Sequence, residues 1–280
     1  MRFLNTILDP LFIFTFHMGM AGAALATIIG QIISGIMVIA YLCRFKTVKL
    51  TFKALVPSPE HCRAILSLGM APCFNQLAMM IVQIVMNNIL RYYGAQSNYG
   101  SEIPLACAGI ITKVNMIFFS LVIGLSQGLQ PIVSFNYGAR QRSRITGVIH
   151  FALVLSAAIM AVGTVVFLAI PGPLLRLFDA DAAVLAEGIS ALRLIALSFV
   201  CAGVSVILCA ALQALGAANS SLVVSLLRQL VLLFPLALLL GALRPSLVWL
   251  AFLLSEGAAC LTALLLYRRT ARGRLAGMEE

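Results

Sequence analysis

Apolar residues run along this chain in stretches too long for the helices of a soluble core, and short polar or basic clusters separate them. Crossing a hydrocarbon layer takes about 20 apolar residues in helical form. Seven stretches reach that length: 22–43, 64–90, 103–130, 145–175, 188–215, 219–243 and 247–267. The opening, MRFLNTILDPLFIF (1–14), is shorter and carries Asp9-Pro10 in its middle. Arg2, the apolar residues behind it and the AGA at 21–23 have the order of a secretory signal. Yet the apolar run continues to Cys43, and Asp9-Pro10 interrupts what would be the signal's core. The opening therefore reads as the end of a helix. The pattern predicts an all-α polytopic membrane protein with seven complete transmembrane helices and a partial first one.

Composition agrees. Of 280 residues, 62% are hydrophobic and 10% charged, where a soluble domain carries about 25% charged. The net charge of +10 would suggest nucleic acid in a soluble protein, but inner loops of membrane proteins collect Lys and Arg. Arg44, Lys46, Lys49, Lys53 and Arg63 form one cluster, Arg140, Arg142 and Arg144 a second, and Arg268, Arg269, Arg272 and Arg274 a third. The alternate loops hold Arg91, Arg176 and Arg244 beside Glu102, Asp179, Asp181 and Glu187. This asymmetry predicts a plasma or inner membrane protein with its C-terminus in the cytoplasm. The seven cysteines form no CxxC pair and lie mostly in apolar runs, and the three histidines are scattered. No metal site and no cofactor are expected from them. Without a Walker loop, a nucleophile–base pair or HExxH, no enzymatic role is expected.

The chain echoes itself at an offset of 225. Pro10 meets Pro235, Leu11 meets Leu236, Leu25 meets Leu250, Ala26 meets Ala251, Gln31 meets Glu256 and Arg44 meets Arg269. Each copy orders its features alike: a span with proline, a tight outer turn, a span with a polar residue at mid-depth, then basic residues. Transporters are often built from such repeats.

Charge inside a bilayer is costly, roughly 2.5–3.5 kcal/mol per residue on insertion scales. Lys113, Arg228 and Glu256 each sit about ten residues, or ~15 Å, from a span end. Glu256 either binds a cation or proton and releases it, or pairs within the bundle with Lys113 or Arg228. Asp9, beside Pro10 and nearer a span end, suits capping or an interfacial place. Gln76, Met79, Met80, Gln83, Met86 and Asn87 recur at spacings of three and four, hence on one helical face. That face either lines a cavity for bulky, varied cations or packs helix on helix. Asn115, Met116 and Phe119 of the next span could extend the wall, with Phe118 and Phe119 offering aromatic faces to a cation. LQPIVSFNYGAR (129–140) reads as mechanics: Pro131 disturbs the helix end, and Gly138 permits a left-handed terminus. Gln127 and Gln130 are placed to bond freed carbonyls, and the arginines hold the turn at the anionic inner surface.

LDPLFIF (8–14) followed by GMAGAALATIIGQIIS (19–34), and GLSQGLQPIVSFNYGARQRSR (124–144) with its Gln-Pro and Asn136-Tyr-Gly-Ala elements, resemble the multidrug and toxic compound extrusion (MATE) family of cation-coupled exporters. The resemblance implies a twelve-helix, two-lobed secondary antiporter that exports organic cations in exchange for protons or sodium. Residues 1–44 would close the first lobe, 45–62 would be a cytoplasmic linker, 63–270 a six-helix second lobe and 271–280 a cytoplasmic tail. The chain then reads as an N-terminally truncated member, lacking the first-lobe aspartate region associated with proton coupling. Its expected partners are membrane lipids, small organic cations and a missing N-terminal half, with no nucleic acid. Flipping of lipid-linked intermediates, favoured by a basic groove at Lys113 and Arg228, and a non-transporting fragment or scaffold are the competing readings.

Overall fold

A computed structural model describes residues 2–44, 57–95, 102–177, 182–276 and 278. Lys46, Lys49, Lys53, Asp179 and Asp181 lie outside the described residues, as does most of the expected linker. Every regular element among the described residues is helical. Among the described residues six helices are long and apolar enough to cross a membrane, and a seventh crossing is available if one bent pair counts as a span. The protein is a multi-pass helical membrane protein. It divides into two compact units, residues 1–64 and 65–280.

In the first unit, α1 (Arg2–Pro10) passes into a wide π-helical turn over Leu11–Thr15, and α2 (Gly19–Cys43) follows. Pro10 has no N–H to return to the preceding turn, and the chain widens there instead of stopping. The reversal is closed by Phe16 N–H donating to Leu11 O (3.1 Å) and Met18 N–H to Phe12 O (3.1 Å), with His17 at φ 51°. The buried residues of α2 are Gly22, Ala26 and Gly30, a small-residue stripe at a spacing of four that lets helices approach closely. Asp9 does not cap: it lies in the last turn of α1, helical on both sides, with one carboxylate oxygen buried and unpartnered.

The second unit starts within α3 (Pro59–Ala95), whose first turn precedes the boundary expected at 63. It continues through α4 (Glu102–Gly138), α5 (Arg142–Ala169), the short α6 (Pro171–Arg176), α7 (Ala182–Ala196), α8 (Phe199–Ala214), α9 (Ala218–Leu226), α10 (Phe234–Leu243) and α11 (Leu250–Arg274). The buried residues of α5 are Ile145, Ile149, Ala152, Ser156, Met160, Gly163 and Phe167. Their spacing of three and four marks a single stripe. By contrast α8 is buried nearly all round, including Phe199, Ala202, Gly203, Ile207, Leu208 and Ala211, as befits a helix at the centre of the unit. Phe118, Phe167, Phe199 and Phe119 join α4, α5 and α8 through edge-on ring contacts with centroids 4.9–6.0 Å apart.

Two expected spans are interrupted. The 145–175 run ends at Ala169, because Ile170 stands before Pro171 and leaves helical geometry (φ −128°, ψ 48°). The 188–215 run bends by 48° between Ala196 and Phe199. Thr164 of α5 lies at that break with its hydroxyl 2.9 Å from the Ala196 carbonyl, and Ser198 Oγ donates to Ile195 O at 2.6 Å. At the other end, α11 extends to Arg274 and so takes in the start of the expected tail.

Tight packing at two glycines makes this architecture testable. A Cβ on Gly203 would stand 2.7 Å from Met160 Cγ and 2.9 Å from Ser156 Oγ, and one on Gly163 would stand 2.9 Å from the Phe118 ring. Gly203→Val and Gly163→Val are each expected to cost about 1–3 kcal/mol through overpacking, read as a lower unfolding midpoint in detergent. Gly257→Ala, where a Cβ meets nothing within 4 Å, should leave the midpoint unchanged or raise it.

Candidate functional site

A cavity of about 280 Å³ opens within the second unit, near the lower end of the range for small-molecule sites. From α3 it receives Met79, Gln83, Met86 and Asn87, and from α4 Thr112, Asn115 and Phe119. The chain's only tryptophan, Trp249, and Phe252 close another side, their rings stacked with centroids 6.3 Å apart. Charge enters from Arg228 and Glu256.

The position of Arg228 follows from an irregular helix. Pro235 cannot donate to the turn before it, and over Leu227–Leu233 the helix opens to π geometry. In such a turn each N–H reaches five residues back, so Arg228, Gln229 and Leu233 all border the cavity. Arg228 Nη1 stands 3.5 Å from each carboxylate oxygen of Glu256. The two side chains are 18% and 16% exposed, so the pair is largely withdrawn from its surroundings. Of the two partners expected for Glu256, the structure selects Arg228. Lys113 is exposed on α4 and does not border the cavity.

The polar face of α3 is divided. Met79, Gln83, Met86 and Asn87 face the cavity, and Gln83 Nε2 donates to Asn87 Oδ1 at 3.2 Å. Gln76 and Met80 are exposed and stand outside the lining. On α4, Phe119 reaches the cavity, whereas Phe118 turns to Phe167 and Met116 is 70% exposed. Two buried acceptors on the wall, Asn115 Oδ1 and Gln229 Oε1, have no hydrogen-bond partner. Gln229, Trp249 and Phe252 join the lining without having been expected there from the sequence. The last two carried a signal, since Trp249, Phe252 and Glu256 are spaced by three and four and so share one face.

A second cavity, of about 160 Å³, also borders Arg228. It is polar, with Asn75, Ser126, Gln130, Ser205, Gln213 and Ser225 on its wall.

The LQPIVSFNYGAR segment joins helix ends. Gln130 Nε2 donates to Gln213 Oε1 (3.1 Å) rather than to a carbonyl freed by Pro131, and Ser134 Oγ donates to Ala214 O (3.2 Å). Gln127 is exposed. Asn136 is buried and donates to Ile132 O at 2.8 Å. The left-handed residue is Arg140 (φ 56°), not Gly138. The helix ends at Gly138 while that residue is still helical, and Gln141 N–H closes on Asn136 O while Arg140 N–H closes on Tyr137 O, which is a Schellman terminus. The end of α8 repeats it: Gly216 takes φ 77°, Ala217 N–H reaches Leu212 O and Gly216 N–H reaches Gln213 O. There Arg274 donates to the Leu215 carbonyl. Among the described residues no group of three or more His, Cys, Asp or Glu is placed to hold a metal ion.

These features define a helical membrane protein whose second unit encloses an amide-, thioether- and aromatic-lined cavity with one ion pair on its wall. The sequence model of the MatE family matches residues 73–239, and the chain belongs to that family. It is 24% identical over 266 residues to the multidrug export protein MepA of Staphylococcus aureus (strain MRSA252) and 26% identical over 268 residues to MepA of Staphylococcus haemolyticus (strain JCSC1435). Each match covers 94% of this chain and 57% of the relative, so the chain spans little more than half their length. Among solved structures, an outward-facing multidrug resistance MATE family transporter of the MOP superfamily matches with a TM-score of 0.84 at 23% identity, covering 97% of this chain and 60% of that one. A MATE in the straight conformation matches with a TM-score of 0.85 at 22% identity, with the same coverage. Both show the fold.

The ion pair predicts an asymmetry. A carboxyl can take up a proton when its partner is lost, whereas a guanidinium cannot lose one. In chloride-free detergent solution, Glu256→Gln should therefore lower the unfolding midpoint more than Arg228→Gln. The double variant should recover part of the loss, since breaking one side of a buried pair costs more than removing both.

Proposed function

We propose that this chain is transport machinery: the second lobe, with the closing helices of the first, of a two-lobed secondary antiporter that exports organic cations and drugs. The supporting observation is the Arg228–Glu256 pair on the wall of a cavity built of methionines, amides and aromatic rings. Thioethers and aromatic faces accommodate varied apolar bodies, and ring faces attract cations. The unpartnered acceptors of Asn115 and Gln229 suit a cargo that carries donors.

In this reading Glu256 holds the exchanged charge. Engaged by Arg228 it is a closed pair; drawn toward a cationic cargo, or neutralised by a proton, it releases Arg228. Protons or sodium drive the exchange, no organic cofactor takes part, and no bond is made or broken in the cargo. The multidrug export of the staphylococcal relatives supports the cargo class. The chain sits in the plasma membrane, with Arg140, Arg142 and Arg144 and the C-terminal arginines at the cytoplasmic face. A lipid-flipping function would call for a basic groove. Here Arg228 is paired and Lys113 stands away from the cavity, which favours the organic cation.

Trp249 provides the readout as the only tryptophan. Titrating ethidium into the purified chain should quench its fluorescence saturably, and Glu256→Gln should weaken binding at least tenfold. Wild-type affinity should fall as pH is lowered and Glu256 takes up a proton, while Glu256→Gln should show a flat profile. Saturable quenching by a polyprenyl phosphate but not by ethidium would move the assignment to lipid substrates. No quenching by either would remove the transport reading.

A further inference from the structure

Arg228 borders two cavities of opposite character. In the first it meets Glu256; the second, of 160 Å³, is lined by Asn75, Ser126, Ser205, Gln213 and Ser225 and by no carboxylate of the described residues. A guanidinium stays charged and carries five donors, and its contacts to Glu256 are made through Nη1 alone. At this depth an unpaired cation is costly. Any step that takes the charge of Glu256 away leaves Arg228 in need of another counter-charge. The polar cavity is the one place, of the two that it borders, that can supply it.

We infer that the polar cavity is a binding site for a small monovalent inorganic anion such as chloride, held by Arg228, Ser225 and the Asn75 amide, which fills when Glu256 is neutral. Ser225 and Asn75 are available for this. Neither makes a side-chain hydrogen bond to another described residue, and Asn75 Oδ1 is buried without a partner. An amide can turn over in place and offer Nδ2 instead. The Ser126 and Ser205 hydroxyls bond to carbonyls of their own helices, Ile123 O and Cys201 O, and Gln213 Nε2 is spent on Ser221. Those groups shape the wall and leave Ser225 and Asn75 as donors. The volume admits an anion with several waters, each of which takes about 30 Å³ in the liquid. Other than Glu256, the titratable groups nearest the pair are thiols, Cys209 on the polar cavity wall and Cys260 one turn along α11 from Glu256. Neither thiol provides the missing negative charge. The site does not depend on the identity of the cargo.

The test is thermal unfolding of the full chain in detergent as sodium chloride replaces sodium gluconate at constant ionic strength. Chloride should raise the midpoint of Glu256→Gln saturably, with half-saturation at a concentration at least tenfold below that of the wild type. Bromide should act alike. Adding Ser225→Ala and Asn75→Leu to Glu256→Gln should raise the half-saturating concentration at least fivefold. If Glu256→Gln does not fold, the wild type carries the same test at higher chloride, and Ser225→Ala with Asn75→Leu should again weaken the response. Equal midpoints in chloride and gluconate would overturn the proposal. So would a chloride response that the Ser225 and Asn75 substitutions leave unchanged.

Discussion

Hydrocarbon offers a backbone N–H or C=O no partner, so every interruption of a membrane helix must be answered by another part of the protein. Three side-chain hydrogen bonds between helices of the second unit meet that demand. Where α7 and α8 part, Thr164 comes from α5 to the Ala196 carbonyl. Where α8 ends, Ser134 of α4 reaches Ala214 O, and Arg274 of α11 reaches Leu215 O. The ends of α4 and α8 both take Schellman geometry that closes their own last carbonyls. The α7–α8 bend and the end of α8 are therefore as specific as the straight segments, because each is tied to a named group on a neighbouring helix.

The functional pair depends on the same constraint. Pro235 removes a donor, the helix ahead of it widens, and the widened turn brings both Arg228 and Gln229 to the cavity. Phe252 and Glu256 reach the same space from one face of α11, and Trp249 joins them from the end of the 3-10 turn that precedes it. An irregular helix supplies the cation and a regular one the anion, and the two meet at 3.5 Å. Arg228 borders both the apolar cavity that holds Glu256 and the smaller polar one.

Much of this was legible in the chain. The spacing of Met79, Gln83, Met86 and Asn87 identified a face that does border the cavity, because α3 is regular there and periodicity survives folding. The same reasoning carried Gln76 and Met80 too far along that face. The proline-rich 171–173 stretch marked a break that hydropathy alone did not respect. The bend at Leu197–Ser198 had no such mark, since the run stays apolar through it and its hydrogen-bond partner lies on α5. Gly138 looked like the left-handed residue of its motif, but it is the last helical residue and the left-handed turn falls on Arg140.

By itself the sequence determined the class of protein, the number of membrane crossings to within the bent pair, and which residues would be costly in a bilayer. Those properties are sums over local composition and are independent of how helices turn toward one another. Only the tertiary structure decided that Glu256 meets Arg228 and not Lys113, that Asp9 does not cap, and that one arginine stands between two cavities. Partner choice depends on the rotation of each helix about its axis. In this protein that rotation is set by glycine contacts, prolines and a widened turn acting across several helices at once.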